Sequence, residues 1–112
     1  MFSRRQDSDF LADIDESSEK IVSYVRSMTF DEFCQDSKTI DAVIRNLEVI
    51  GEAAKNISET LKKQTTDIPW RGMAGLRDRL IHNYFGVDEG IVWKIAVDEI
   101  PHLLERLRTI TR

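Results

Sequence analysis

The chain has one cysteine, Cys34, which excludes an internal disulfide framework. Two prolines and five glycines in 112 residues are too few for a collagenous, linker-like or turn-dense all-β chain. No stretch approaches the ~20 apolar residues of a membrane span. Met1 to Asp7 leads into no apolar signal core. The expectation is therefore a single domain over residues 1–112, cytoplasmic and without a membrane. Histidine is scarce as well. His82 and His102, twenty residues apart, form with Cys34 no recognisable zinc spacing, so no metal and no cofactor is expected.

Positive charge is in deficit, with a formal net charge of −4. That sign argues against a general nucleic-acid coat, though not against a local basic site. The two ends differ: residues 1–60 carry 7 basic and 13 acidic side chains, residues 61–112 carry 9 and 7. An anion-binding surface is expected in the second half.

What is present is helical periodicity. A first series runs Phe10, Leu11, Ile14, Ile21, Tyr24, Val25 and Met28, with Ser8 or Asp9 as cap. A short piece follows from Phe30 to Asp36, where Asp36 or Ser37 can cap the next helix. The second long series, Ile40 to Leu61, is thin at Gly51, Ala53 and Ala54, where another backbone can approach closely. Lys62 to Asp67 reads as a loop. A third helix is expected from Pro69 to Phe85, and a fourth from Asp88, kinked or split at Pro101. Nothing alternates with a period of two, so the expected fold is all-α: a small up-and-down bundle of four to five helices.

The third helix holds the anomaly. At ~100° per residue, Trp70, Met73, Leu76, Leu80, Ile81 and Tyr84 share an apolar arc, and Arg77 falls inside it. An unpaired guanidinium cannot be buried there cheaply, so it must snorkel, find a carboxylate or line a cleft. Asp78 and His82, four apart, are neighbours on one flank, where the carboxylate can fix the imidazole tautomer and favour its charged form. Arg77 and His82 diverge by ~140° and ~7.5 Å, too far to touch but suited to opposite borders of a groove holding a phosphodiester. Arg71 and Arg79 flank the set as candidate phosphate contacts. Arg71 is on the Asp78/His82 flank, whereas Arg79 points further round and reads as a solvated arginine.

Other residues read as structural. Gly72 and Gly75 suggest close helix approach. Trp70 and Trp93 read as core or interface anchors, Cys34 as a small hydrophobe and His102 as a surface histidine. Asp13, Asp15, Glu16 and Glu19 read as a solvated face.

The string IPWRGMAGLRDRLIHNYFGVD, Ile68 to Asp88, resembles the signature of HepT-type toxins of the HEPN superfamily, R-x-x-x-x-H-x-Y, here Arg77, His82 and Tyr84. Asp78 fills the polar position after the arginine. IDAVIRNLEVIGEAAKNIS, Ile40 to Ser58, is similar to that family's second long helix, and WKIAVDEIPHLLERL fits its ending. The resemblance implies an all-α homodimer whose motif helices face a shared cleft. It implies a metal-independent endoribonuclease acting on RNA, with Arg77 and His82 catalytic and Asp78 orienting. It also implies a type VII-like toxin–antitoxin pair, in which an MntA-type nucleotidyltransferase antitoxin silences the toxin by adenylylating Tyr84.

The residue types suit that chemistry. RNA carries its own nucleophile, and a histidine of pKa ~6.5 gives or takes a proton at neutral pH. Arginine clamps phosphate bidentately and keeps its charge, so its role is electrostatic. A two-fold dimer doubles both groups, one His82 as base and the other as acid. The competing readings are a non-catalytic helical partner of a minimal nucleotidyltransferase, and a structural helical dimer.

Overall fold

In a computed structural model, residues 5–81 and 88–111 are described, and every regular element among them is helical. The first helix, α1 (Asp7–Val25), begins earlier than its apolar series suggests. Its cap is neither Ser8 nor Asp9 but Gln6, whose backbone N–H donates to Asp9 Oδ2 at 2.8 Å. Asp9 thus serves from inside the first turn, where carboxylates are favoured by the orphan N–H groups. Thr29 opens the short α2 (Phe30–Cys34) with a reciprocal box: Glu32 N–H donates to Thr29 Oγ1, and Thr29 N–H to Glu32 Oε1.

Asp36 caps α3 (Ser37–Lys55) as expected, its Oδ1 accepting from Thr39 N–H at 3.0 Å. That bond and the one from the Thr39 hydroxyl hold the Asp36 carboxyl below its ordinary range. The apolar series suggests a helix to Leu61, but α3 stops at Lys55 and a new helix, α4 (Glu59–Gln64), starts after Ser58. The reason is local competition for backbone groups. Ser58 Oγ accepts from Leu61 N–H, while Asp7 of α1 accepts from both the Ser58 N–H and its hydroxyl, at 2.8 and 2.6 Å. The expected loop from Lys62 is accordingly helical as far as Gln64.

The link from Asp7 to Ser58 also sets topology. It joins the start of α1 to the chain just beyond the end of α3, so these two long helices run antiparallel. Ile14, Ile21, Val43, Leu47 and Ile50 are fully buried, the first two from α1 and the rest from α3. Burying each such side chain favours the fold by about 1.5–3 kcal/mol.

The single helix expected from Pro69 is two: α5 (Trp70–Ala74) and α6 (Leu76–Ile81), separated by a turn at Gly75 (φ −89°, ψ 4°). Its continuation to Phe85 falls outside the described residues. Pro69 precedes the first helical residue, and Trp70 is anchored through its indole N–H, which donates to Thr65 Oγ1 at 2.9 Å. The thin stretch of α3 does what its small residues suggest. A Cβ on Gly51 would lie 3.1 Å from the Met73 carbonyl oxygen of α5, so glycine lets that backbone sit against α3. Gly72 and Gly75 do not mark close helix approach: a Cβ at Gly72 would meet only Pro69 Cβ, at 3.8 Å, and Gly75 ends α5.

Asp88 caps α7 (Glu89–Lys94), accepting from the N–H groups of Gly90 and Ile91. The expected break at Pro101 takes another form. A π-helical turn, Ile95–Glu99, precedes α8 (Ile100–Ile110), and Ile100 N–H reaches back five residues to the Ile95 carbonyl. Proline offers no N–H to the carbonyl four residues earlier, and widening the turn by one residue accommodates that without breaking the rod. Val92, Ile95, Ile100 and Leu107 are buried along it.

α1 packs on α3 and α8, and α3 receives α5 and α6 on another side. The four carboxylates of α1 read as a solvated face are paired: Asp13 with Arg5, Glu16 with Lys20, and Asp15 and Glu19 both with Arg108 of α8. Cys34 is half-buried, and desolvation followed by the neighbouring Glu89 carboxylate raises its thiol pKa. Trp93 is partly buried, its ring centroid 5.1 Å from that of the fully buried Phe33. No helix among the described residues is long and apolar enough to cross a membrane.

Candidate active site

α6 is a short helix held from beneath. Leu76 and Leu80 are buried, as are Met73 and Trp70 on α5 just before it. Arg77, Asp78 and Arg79 occupy the remaining turn and are all exposed. The arc reading therefore needs correction at Arg77. The buried stripe is Trp70, Met73, Leu76 and Leu80, and Arg77 lies outside it in solvent. A wheel drawn through Gly75 assumes uniform helical rotation, whereas the turn at Gly75 changes the phase of α6 against α5. Among the described residues no carboxylate lies within ion-pair distance of Arg77, so of the ways out named for it, an acidic partner is not the one taken.

Arg79 is not a solvated arginine. Its guanidinium donates from both terminal nitrogens to the Glu99 carboxylate, at 2.9 and 3.0 Å. This fork-to-fork pair ties α6 to the π turn. The Arg79 bond pulls the Glu99 carboxyl below its usual range, more than partial burial raises it. A carboxyl with a lowered folded-state pKa stabilises the fold above its ordinary value of about 4.3 and loses that contribution as pH falls through the folded-state value. Both partners are about 40% exposed, which limits the pair to roughly 1 kcal/mol or less. Glu99→Gln should therefore lower stability by that amount at pH 7 in urea titrations, and the gap to wild type should narrow as pH is lowered towards 3. A gap that widens in acid would contradict the pairing.

Arg71 is exposed on α5 and, with Lys55 of α3 and Lys62 of α4, lines an open groove floored by Ile68, Pro69 and Trp70. His82 and Tyr84 lie outside the described residues, and so does the Asp78–His82 pairing. His102 is exposed, its Nδ1 2.8 Å from the Asp98 carbonyl oxygen. Sequence reasoning missed Glu99, Lys55 and Lys62. Glu99 is twenty residues from its arginine, and no local pattern joins them.

The described residues thus define an all-α bundle that presents a cationic short helix from a packed core. The chain matches the family described as Ribonuclease HepT-like over residues 14–110. It is 48% identical over 108 residues to a "Probable ribonuclease HepT" of Thermococcus cleftensis, covering 94% of this chain and 98% of that protein. It is 47% identical over 103 residues to a "Putative RNase" of Methanocaldococcus jannaschii, covering 92% and 85%. A "Putative RNase" of Caldanaerobacter subterraneus subsp. tengcongensis is 37% identical over 101 residues, with 90% of each chain covered. No solved structure matches. The protein belongs to the HepT-like ribonuclease family.

Proposed function

We propose that this protein is an endoribonuclease toxin that cuts RNA by transesterification, with Arg77 and His82 as its catalytic groups. The observation that carries the reading is Arg77, exposed and without a carboxylate partner among the described residues on a helix whose other face is core. A guanidinium so placed is available to a phosphodiester. Membership of a ribonuclease family and the R-x-x-x-x-H-x-Y spacing support the assignment.

In the proposed reaction one His82 takes the proton of the ribose 2′-OH. The 2′-oxygen then bonds to phosphorus, and the bond from phosphorus to the 5′-oxygen breaks. A second His82, from a homodimer partner, gives its proton to that leaving oxygen. Arg77 stabilises the charge on the pentacoordinate phosphorus, and Asp78 orients His82. The products are a 2′,3′-cyclic phosphate and a free 5′-OH, and no metal takes part. RNA digestion in the presence of a chelator, comparing wild type with Arg77→Ala, tests this. Equal cleavage by the two would remove Arg77 from the mechanism.

Regulation in this reading comes from a partner nucleotidyltransferase of the MntA type. It would transfer AMP from ATP to the Tyr84 hydroxyl, releasing pyrophosphate. The added negative charge beside the motif would repel RNA and cover Arg77. Protein co-expressed with such a partner should carry one or more AMP units on Tyr84 by mass spectrometry. Unmodified Tyr84 under those conditions would count against this form of control.

A further inference from the structure

The unused feature of the molecule is the groove beside α5. It is open, about 740 Å³ in volume, and its lining includes Lys55 at the end of α3, Lys62 on α4 and Arg71 on α5. Its one carboxylate, Glu59, makes a single loose ion pair with Lys62 at 3.8 Å. Among the described residues Lys55 and Arg71 have no carboxylate within ion-pair distance. The groove thus carries three cations and one anion in a chain of net charge −4. Elsewhere Arg5, Lys20, Arg79, Lys94 and Arg108 have carboxylate partners, and what sets the groove apart is that it gathers three cations from three helices around one carboxylate.

The groove is also built rather than incidental. The Trp70 indole N–H donates to Thr65 Oγ1, and the Thr65 hydroxyl donates to the Leu61 carbonyl at 2.7 Å. Thr65 and Trp70 are both buried, so this chain of bonds ties the end of α4 to the start of α5. Lys62 and Arg71, on those two helices, are thereby held to the same groove. α5 leads directly through Gly75 into α6, which carries Arg77.

The geometry points to this groove as a phosphate-binding track for the RNA strand leading away from the cleavage site, with Lys55 and Lys62 contacting backbone phosphates and Arg71 on the α5 wall. The inference rests on the ribonuclease reading above. The ligand is the sugar–phosphate backbone itself, so recognition here is independent of base sequence and sensitive to salt.

The test is a pair of double variants with the same charge change. Lys55→Gln/Lys62→Gln removes two groove cations. Lys20→Gln/Lys38→Gln removes two elsewhere, on α1 and at the other end of α3. Binding of a labelled single-stranded RNA is followed by fluorescence anisotropy from 50 to 300 mM salt, alongside KM and kcat for cleavage. Circular dichroism melts confirm that both variants fold. Each lost phosphate contact lowers the slope of log affinity against log salt by about 0.7, so two contacts predict a slope smaller by about 1.4 and roughly tenfold weaker binding near 0.15 M salt. KM should rise by a similar factor in the groove variant, with the loss concentrated there and not in kcat, and the control pair should change affinity less than twofold. Equal affinities for the groove variant and wild type, where wild type cleaves, would overturn the track and leave the ribonuclease reading standing. Equal losses in the two double variants would also overturn it, as a net-charge effect. Groove-dependent binding by a wild-type protein that never cleaves would uphold the track and sink the ribonuclease reading.

Discussion

His82→Ala should abolish RNA cleavage while the helical spectrum and oligomeric state stay unchanged, and Arg77→Ala should come close to it. Positioned acid–base groups contribute typically 10²–10⁴-fold in rate, and here one residue type is asked to serve on both sides of the reaction. In the proposed mechanism, removing it from each protomer of a dimer would delete base and acid together. Arg77→Ala would remove the proposed charge stabilisation, for which a loss of about 10²–10³ is expected. Because Arg77 is exposed and outside the core, its truncation creates no cavity, so lost activity cannot be ascribed to unfolding. The discriminating substrate is an RNA with a single 2′-deoxy sugar at the cut site. It should resist the wild-type enzyme at that position and be cut normally elsewhere. Cleavage at the deoxy position would rule out attack by the 2′-oxygen, and full activity of His82→Ala would remove the histidine from the mechanism.

Gly51→Leu should be the most damaging change remote from the motif. The position lies on the face of α3 that receives α5, and even a methyl group there would sit 3.1 Å from the Met73 carbonyl oxygen. Alanine at this site gains about 1 kcal/mol of helix propensity and pays for it in that contact, so its net effect is small. Leucine cannot be accommodated without moving α5. Overpacking of this kind typically costs 1–3 kcal/mol, and more where a backbone blocks relaxation. The displacement would carry Trp70 from Thr65 and shift α6, which follows after one residue. Gly51→Leu should therefore lose stability by at least ~2 kcal/mol in denaturant titrations and lose RNA cleavage with it, whereas Gly51→Ala should retain both. A stable, fully active leucine variant would mean that α5 is not seated through this contact.

Local chemistry explains which parts of the structure were legible. Asp36 and Asp88 were readable as caps because a carboxylate before an apolar run satisfies N–H groups within its own turn. Gly51 was readable as a point of close approach because a small residue on an otherwise apolar face has few other uses. The errors lie where a distant partner or a change of helical phase decides. Ser58 starts a new helix with the help of Asp7, 51 residues away. Arg77 fell on the apolar arc because the wheel ran on through Gly75. Arg79 looked solvated because Glu99, its partner, is twenty residues off. The acidic face of α1 looked merely wet because Arg108, which joins Asp15 and Glu19, is about ninety residues away. The motif itself was visible as a string, and the groove beside it was not, because Lys55, Lys62 and Arg71 come from three helices.

The widened turn at Ile95–Glu99 has a consequence for how this protein can vary. A π turn holds one residue more than an α turn, so α7 and α8 lie on one rod but out of phase by about 100°. That offset aims Glu99 at Arg79 upstream while the far end of α8 still presents Arg108 to α1. Deleting a single residue from the turn would bring the rod into uniform phase and swing one of these two links away from its mate. The surplus residue acts as a vernier, setting the angular alignment between the cationic helix and the rest of the scaffold independently of what either end is made of.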